Sequence, residues 1–98
     1  MKAEARRALG VIRRCVAAGR FALTIHFSRR IQQRGLFWPD VQAVLDDPRD
    51  VRSQGLDGFG RAKWLIGGGA VNVGPIEIVC AIETDAAGVE FITLFWKD

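Results

Sequence analysis

The run TIHFSRRIQQRG, residues 24–35, contains the one histidine of this chain. Arg30 follows His26 by four positions and Arg34 follows it by eight. In a helix, side chains four apart sit about one turn from each other, so the three form a row that drifts slowly around the axis. One imidazole beside two guanidiniums suits phosphodiester chemistry. Arginine grips phosphate oxygens through paired N–H donors and keeps its charge. Histidine, with an ordinary pKa near about 6.5, exchanges protons around neutrality. Together they form a candidate proton-transfer and phosphate-binding set for cleaving RNA through its own 2′-hydroxyl. The same residues also have a plainer reading, in which His26 caps or packs near a helix start and the arginines solvate an exposed surface.

The totals restrict what can hold such a row. Ninety-eight residues fit one small domain, and a composition 49% hydrophobic and 26% charged belongs to a folded chain rather than a disordered one. No stretch approaches the roughly 20 apolar residues that span a bilayer. Arg13 and Arg14 interrupt the apolar run a secretion signal would need. The expectation is a soluble, cytoplasmic protein with no membrane association. Cys15 and Cys80 stand far apart with no CxxC pattern, and with a single histidine they make no zinc set. No metal and no cofactor are expected, and both cysteines read as small buried residues. Net charge is only +3, yet residues 1–34 hold nine of the fourteen basic side chains and one acid, Glu4. That is a surplus of eight positive charges, whereas residues 35–98 carry five basic and ten acidic groups. Such a division suggests a surface that faces a polyanion, and RNA is the expected partner.

Helical spacing fills the first half. Ala5, Leu9, Ile12 and Val16 recur on one face, and Gly19 supplies a stop. After a connection, GRFAL, Thr24 is a good N-cap for a second helix with Phe27 and Ile31 on its core side and Gly35 at its end. FWPDVQAVLDDP predicts a third, with Pro39 and Asp40 in its first turn, Val41, Val44 and Leu45 facing inward, and Pro48 beyond its end. From there the pattern becomes extended: DVRSQ, RAKWLIG, IEIVCAIET and VEFITLFW predict four strands, with turns at Gly67–Gly69 and at TDAAG. Helices followed by strands imply an α+β fold, N-terminal helices packed on a twisted antiparallel sheet.

The stretch LTIHFSRRIQQRGLFWPDVQAVLDDP resembles the opening of the domain of unknown function 4258 family, with Thr24, His26, Arg30, Arg34, Gly35, Asp40, Val41, Leu45 and Pro48 at matching places. GRAKWLIG, with Gly60, Arg61 and Lys63, is similar to that family's Gly-Arg strand element, and VEFITLFW, with Thr93 and Trp96, to its closing strand. The likeness covers residues 23–96, so that within a single domain of residues 1–98 the first helix, residues 1–19, reads as an extension. The resemblance implies a fold like that of the RelE, BrnT and colicin-type ribonucleases, many of them toxins of toxin–antitoxin pairs that cleave RNA without a metal. It implies a cognate antitoxin as a possible second partner. RelE-like enzymes often use a tyrosine and this chain has none, which leaves proton transfer to His26. In this reading His26, Arg30 and Lys63 are catalytic, and Arg34, Arg61, Thr93 and Trp38 bind substrate.

Other motifs carry less. Gly58-Phe59-Gly60 is similar to part of an RNA-recognition signature, but Arg61-Ala62-Lys63 follows where aromatic and β-branched residues belong, so a loop is expected. IGGGAVNVG is glycine-rich without the Gly-Lys-Ser/Thr of a phosphate-cradling loop. Trp64 and Trp96 read as core, Trp38 as partly exposed, and Glu83 as a strand-end carboxylate before a proton acceptor. Three functions stay open: an RNA-cleaving domain, a non-catalytic nucleic-acid-binding module, and a protein-interaction module.

Overall fold

The computed structural model describes residues 1–70 and 74–97. It has α1 (Ala3–Ala17), β1 (Phe21–Leu23), α2 (Ile25–Gln33), α3 (Trp38–Asp46), β2 (Asp50–Leu56), β3 (Ala62–Ala70), β4 (Gly74–Ile82) and β5 (Val89–Trp96). The strands form one sheet in the order β1-β5-β4-β3-β2. The fold is α+β, as the order of periodicities predicts.

Two differences from expectation have simple causes. The sheet has five strands and is mixed, because Phe21–Leu23 pairs parallel to β5 through Phe21↔Val89 and Leu23↔Phe91. Three residues are too few to display a period of two, so GRFAL reads as a connection. Gly67–Gly69 is not a turn but the middle of β3, paired with Glu77, Ile76 and Pro75. A Cβ on Gly68 would lie 3.2 Å from Val44 Cγ1 and 3.5 Å from the Asp47 carbonyl oxygen. The glycine therefore marks close approach of α3 to the sheet rather than a reversal. The glycine-rich stretch weighed as a phosphate loop extends into residues 71–73, outside the described residues.

One core joins the elements. α1 contributes Ala5, Ala8, Leu9, Ile12 and Cys15, at helical spacing, and α3 contributes Val41, Val44 and Leu45. The sheet answers with Trp64 and Ile66 from β3, Ile76, Ile78, Cys80 and Ile82 from β4, and Phe91 and Leu94 from β5. The first helix is thus built into the core. Cys15 and Cys80 are free and buried, and burial pushes the Cys80 thiol up to about 12. Among the described residues no helix is long and apolar enough to cross a membrane.

α2 lies on β5 and β1 at one end of the sheet, and its ends are well defined. Gly35, at φ +66°, takes the left-handed conformation that closes the helix without a Cβ penalty. The Asp40 carboxylate accepts from the Phe37 N–H at 2.8 Å and so starts α3.

Candidate functional site

The site begins with the residue that anchors α2. The Thr24 N–H donates to the Phe91 carbonyl at 3.0 Å. Its hydroxyl donates to the Ile92 carbonyl at 2.8 Å and accepts from the Phe27 N–H at 3.0 Å. One side chain thus caps the helix and fastens it to β5. At the same place β5 departs from regular pairing: Cys80 pairs with Phe91 and Val79 with Thr93, leaving Ile92 as an extra residue. Strict alternation would put Phe91 and Thr93 on one face. The irregularity lets Phe91 and Leu94 both enter the core and turns the Thr93 hydroxyl toward α2. His26 Nε2 and Thr93 Oγ1 meet at 2.8 Å, with donor and acceptor set by the imidazole tautomer.

One turn on from His26, Arg30 is half-buried, and its Nε is buried with no acceptor among the described residues. An unsatisfied buried donor costs on the order of 1–3 kcal/mol, so this guanidinium is ready for an oxygen that the described residues do not supply. Arg34, at the C-cap of α2, lies with its Cζ 5.7 Å from the centroid of the Trp96 ring. That contact fixes a cation that is otherwise free to swing. His26 with Thr93, Arg30 one turn on, and Arg34 over Trp96 thus follow one another along α2 beside β5, as a candidate site.

The other sequence-predicted residues lie elsewhere. Lys63 sits on β3, paired with Ala81 of β4, two strands away from β5. Arg61 is engaged by three carboxylates: Nε with Asp57 at 2.7 Å, Nη1 with Glu83 at 2.8 Å, and Nη2 with Glu90 at 3.0 Å. Its donors are committed to tying the 57–61 turn to the sheet, and Glu83 serves in that cluster. Burial acts to raise the Asp57 pKa. The backbone N–H of Arg61, its guanidinium and the backbone N–H of Phe59 outweigh burial and hold the carboxyl below its ordinary value. Trp38 stacks on Phe21 at 4.7 Å and meets Phe91 edge-on at 5.5 Å, so it is a half-buried packing residue. Trp64 is core and Trp96 packs against it.

Two contributors escape the sequence reading. Thr24 is legible as a cap, but its second role depends on a β5 irregularity with no glycine or proline to signal it. Trp96 reads as core, and its support of Arg34 depends on how α2 crosses β5. Among the described residues no group of three or more His, Cys, Asp or Glu side chains converges as a metal site. The chain matches no family model, no curated protein and no solved structure.

Proposed function

We propose that the α2–β5 site binds the phosphodiester backbone of RNA and cleaves it without a metal. The single observation that carries this reading is the buried, unaccepted Nε of Arg30, one turn from the His26–Thr93 pair. In the step proposed, His26 takes the proton of a 2′-hydroxyl as its oxygen attacks phosphorus. The bond from phosphorus to the 5′-oxygen breaks, and the departing oxygen receives a proton back from the imidazolium. The products are a 2′,3′-cyclic phosphate and a 5′-hydroxyl. Arg30 and Arg34 take up the charge that grows on the phosphoryl oxygens, and Thr93 holds the ring. Lys63 and Arg61 have no part in this step.

The motif likeness to the domain of unknown function 4258 family supports the same reading and extends it to a cytoplasmic toxin held by an antitoxin. The rival reading keeps the basic surface but removes turnover, leaving a nucleic-acid-binding module. Bulk RNA incubated in EDTA with wild-type protein and with His26→Ala decides between them. Cyclic-phosphate ends, a loss of about 100-fold or more in rate for His26→Ala and retained RNA affinity are expected. Intact RNA with folded proteins would remove the catalytic reading for free RNA.

A further inference from the structure

The sheet has two unlike faces. Trp64, Ile66, Ile78, Phe91 and Leu94 turn toward the helices and belong to the core, whereas Leu65, Val79 and Phe95 lie on the same strands and pack outside it. Register pairs Val79 with Leu65 and Thr93, and Glu77 with Gly67 and Phe95. Cross-strand partners share a face, so Thr93 belongs to the face turned away from the core. Through Thr93, the His26 site is continuous with that face.

Glu77 is the only buried charged residue among the described residues, at 8% exposure. A buried carboxylate is costly unless donors meet it. Here Oε2 accepts from Arg52 Nη2 at a long 3.3 Å, and Arg52 Nε lies closer to Asp50, at 2.6 Å. Glu77 Oε1 has no hydrogen-bond partner among the described residues and is not sealed from solvent. Gly67 leaves space on one side of this carboxylate, since even an added Cβ would stand 3.8 Å from Oε2. The half-buried Phe95 stands on the other side. An acceptor short of donors beside a partly exposed ring can hold a nucleobase by its edge and its plane.

The geometry points to Glu77 and Phe95 as a guanine subsite for the nucleotide whose 2′-hydroxyl His26 would deprotonate. This inference rests on the phosphodiester reading of the α2–β5 site and adds the base that the site prefers. Thr93 and Glu77 are diagonal neighbours on β5 and β4, roughly 7–8 Å apart at the backbone, a span suited to one nucleotide. A carboxylate repels phosphate, so the backbone keeps to the arginine row and the base turns to the sheet. Guanine alone among the four bases offers adjacent N1–H and N2–H donors to the two oxygens of a carboxylate. Adenine and cytosine set an acceptor beside their amino group, and uracil has one N–H between two carbonyls.

The chain has one histidine, so its ring C–H signals in NMR report on this site alone. Titration with 3′-GMP, 3′-AMP, 3′-CMP and 3′-UMP reads phosphate and base separately. All four should shift the His26 signals, and 3′-GMP should bind at least about tenfold more tightly than the others. Glu77→Gln keeps the shape and an acceptor for Arg52. It should bind 3′-AMP as wild type does and bring 3′-GMP down to the same level. Gly67→Ala, which narrows the space and leaves the carboxylate in place, should weaken 3′-GMP selectively even if Glu77→Gln fails to fold. Phe95→Leu should weaken all four by a similar factor, because every base can stack. Equal binding of the four nucleotides, or a guanine preference that survives these substitutions, would overturn the subsite and leave the phosphate row standing. No shift with any nucleotide would remove the α2–β5 reading, and this inference with it.

Discussion

Two arginines show how little a residue type says before its neighbours are known. Arg61 has every polar edge of its guanidinium paired, whereas Arg30 has a buried Nε with none. In sequence both are candidate phosphate ligands, since the carboxylates that claim Arg61 include Glu83 and Glu90, 22 and 29 positions away. Spacing exposes partners within a helix turn and hides those brought in by a sheet. Arg30→Met keeps the aliphatic stem and removes the unsatisfied donor. The unfolding free energy from urea titration should hold or rise, by up to about 1 kcal/mol, while affinity for single-stranded RNA falls. A clear loss of stability would make Arg30 a structural residue. Asp57 leads to a pH prediction. A carboxyl held below its ordinary value stabilises the fold fully above its unfolded pKa, about 4, and loses that contribution as pH falls through the lowered value. In urea titrations the stability of wild-type protein should therefore decline more steeply toward acid than that of Asp57→Asn, which starts lower near neutrality.

At the scale of elements, α2 is a positioned lever. Thr24 caps it and fastens it to β5, and that attachment sets His26 against Thr93. Thr24→Ala should cost on the order of 1–2 kcal/mol, the range for a lost Ser/Thr cap. The loosened ring should also lower kcat more than it raises KM, and Thr24→Ser should restore both. Unaltered kcat in a folded Thr24→Ala protein would show that the anchor does not serve the site. The three helices are legible because caps, stops and apolar faces agree: Thr24, Gly35 and Pro39 each mark the boundary they suggest. β1 is hidden by its shortness, and the continuation of β3 beyond RAKWLIG by glycines, of which Gly68 gives Val44 a clearance that exists only after folding. The irregularity at Ile92 has no marker either, so the sequence names His26 and Thr93 separately while their contact is a property of the sheet.

Across the whole molecule the basic half is less free than its count implies. Arg13 donates from Nε to the Leu45 carbonyl and from Nη2 to the Asp46 carbonyl, both at 2.7 Å, and so closes the C-terminus of α3. Arg20 donates to the Ala87 carbonyl at 2.9 Å and ties β1 to the turn before β5. Carbonyl partners are invisible to a tally of charges, so the surplus of eight overstates what can meet phosphate. The consequence is measurable. For single-stranded RNA, each neutralised phosphate adds about −0.7 to the slope of log affinity against log salt concentration. Removing a side chain that truly contacts phosphate should make the slope shallower by about that amount. Arg30→Ala and Arg34→Ala should each do so. Arg13→Gln should instead lower thermal stability, because the last carbonyls of α3 lose their donor, and leave the slope unaltered. Were Arg13→Gln to flatten the slope as much as Arg30→Ala, binding would be spread over the basic half. The α2–β5 row would then be one contact among many rather than the place where the backbone is held.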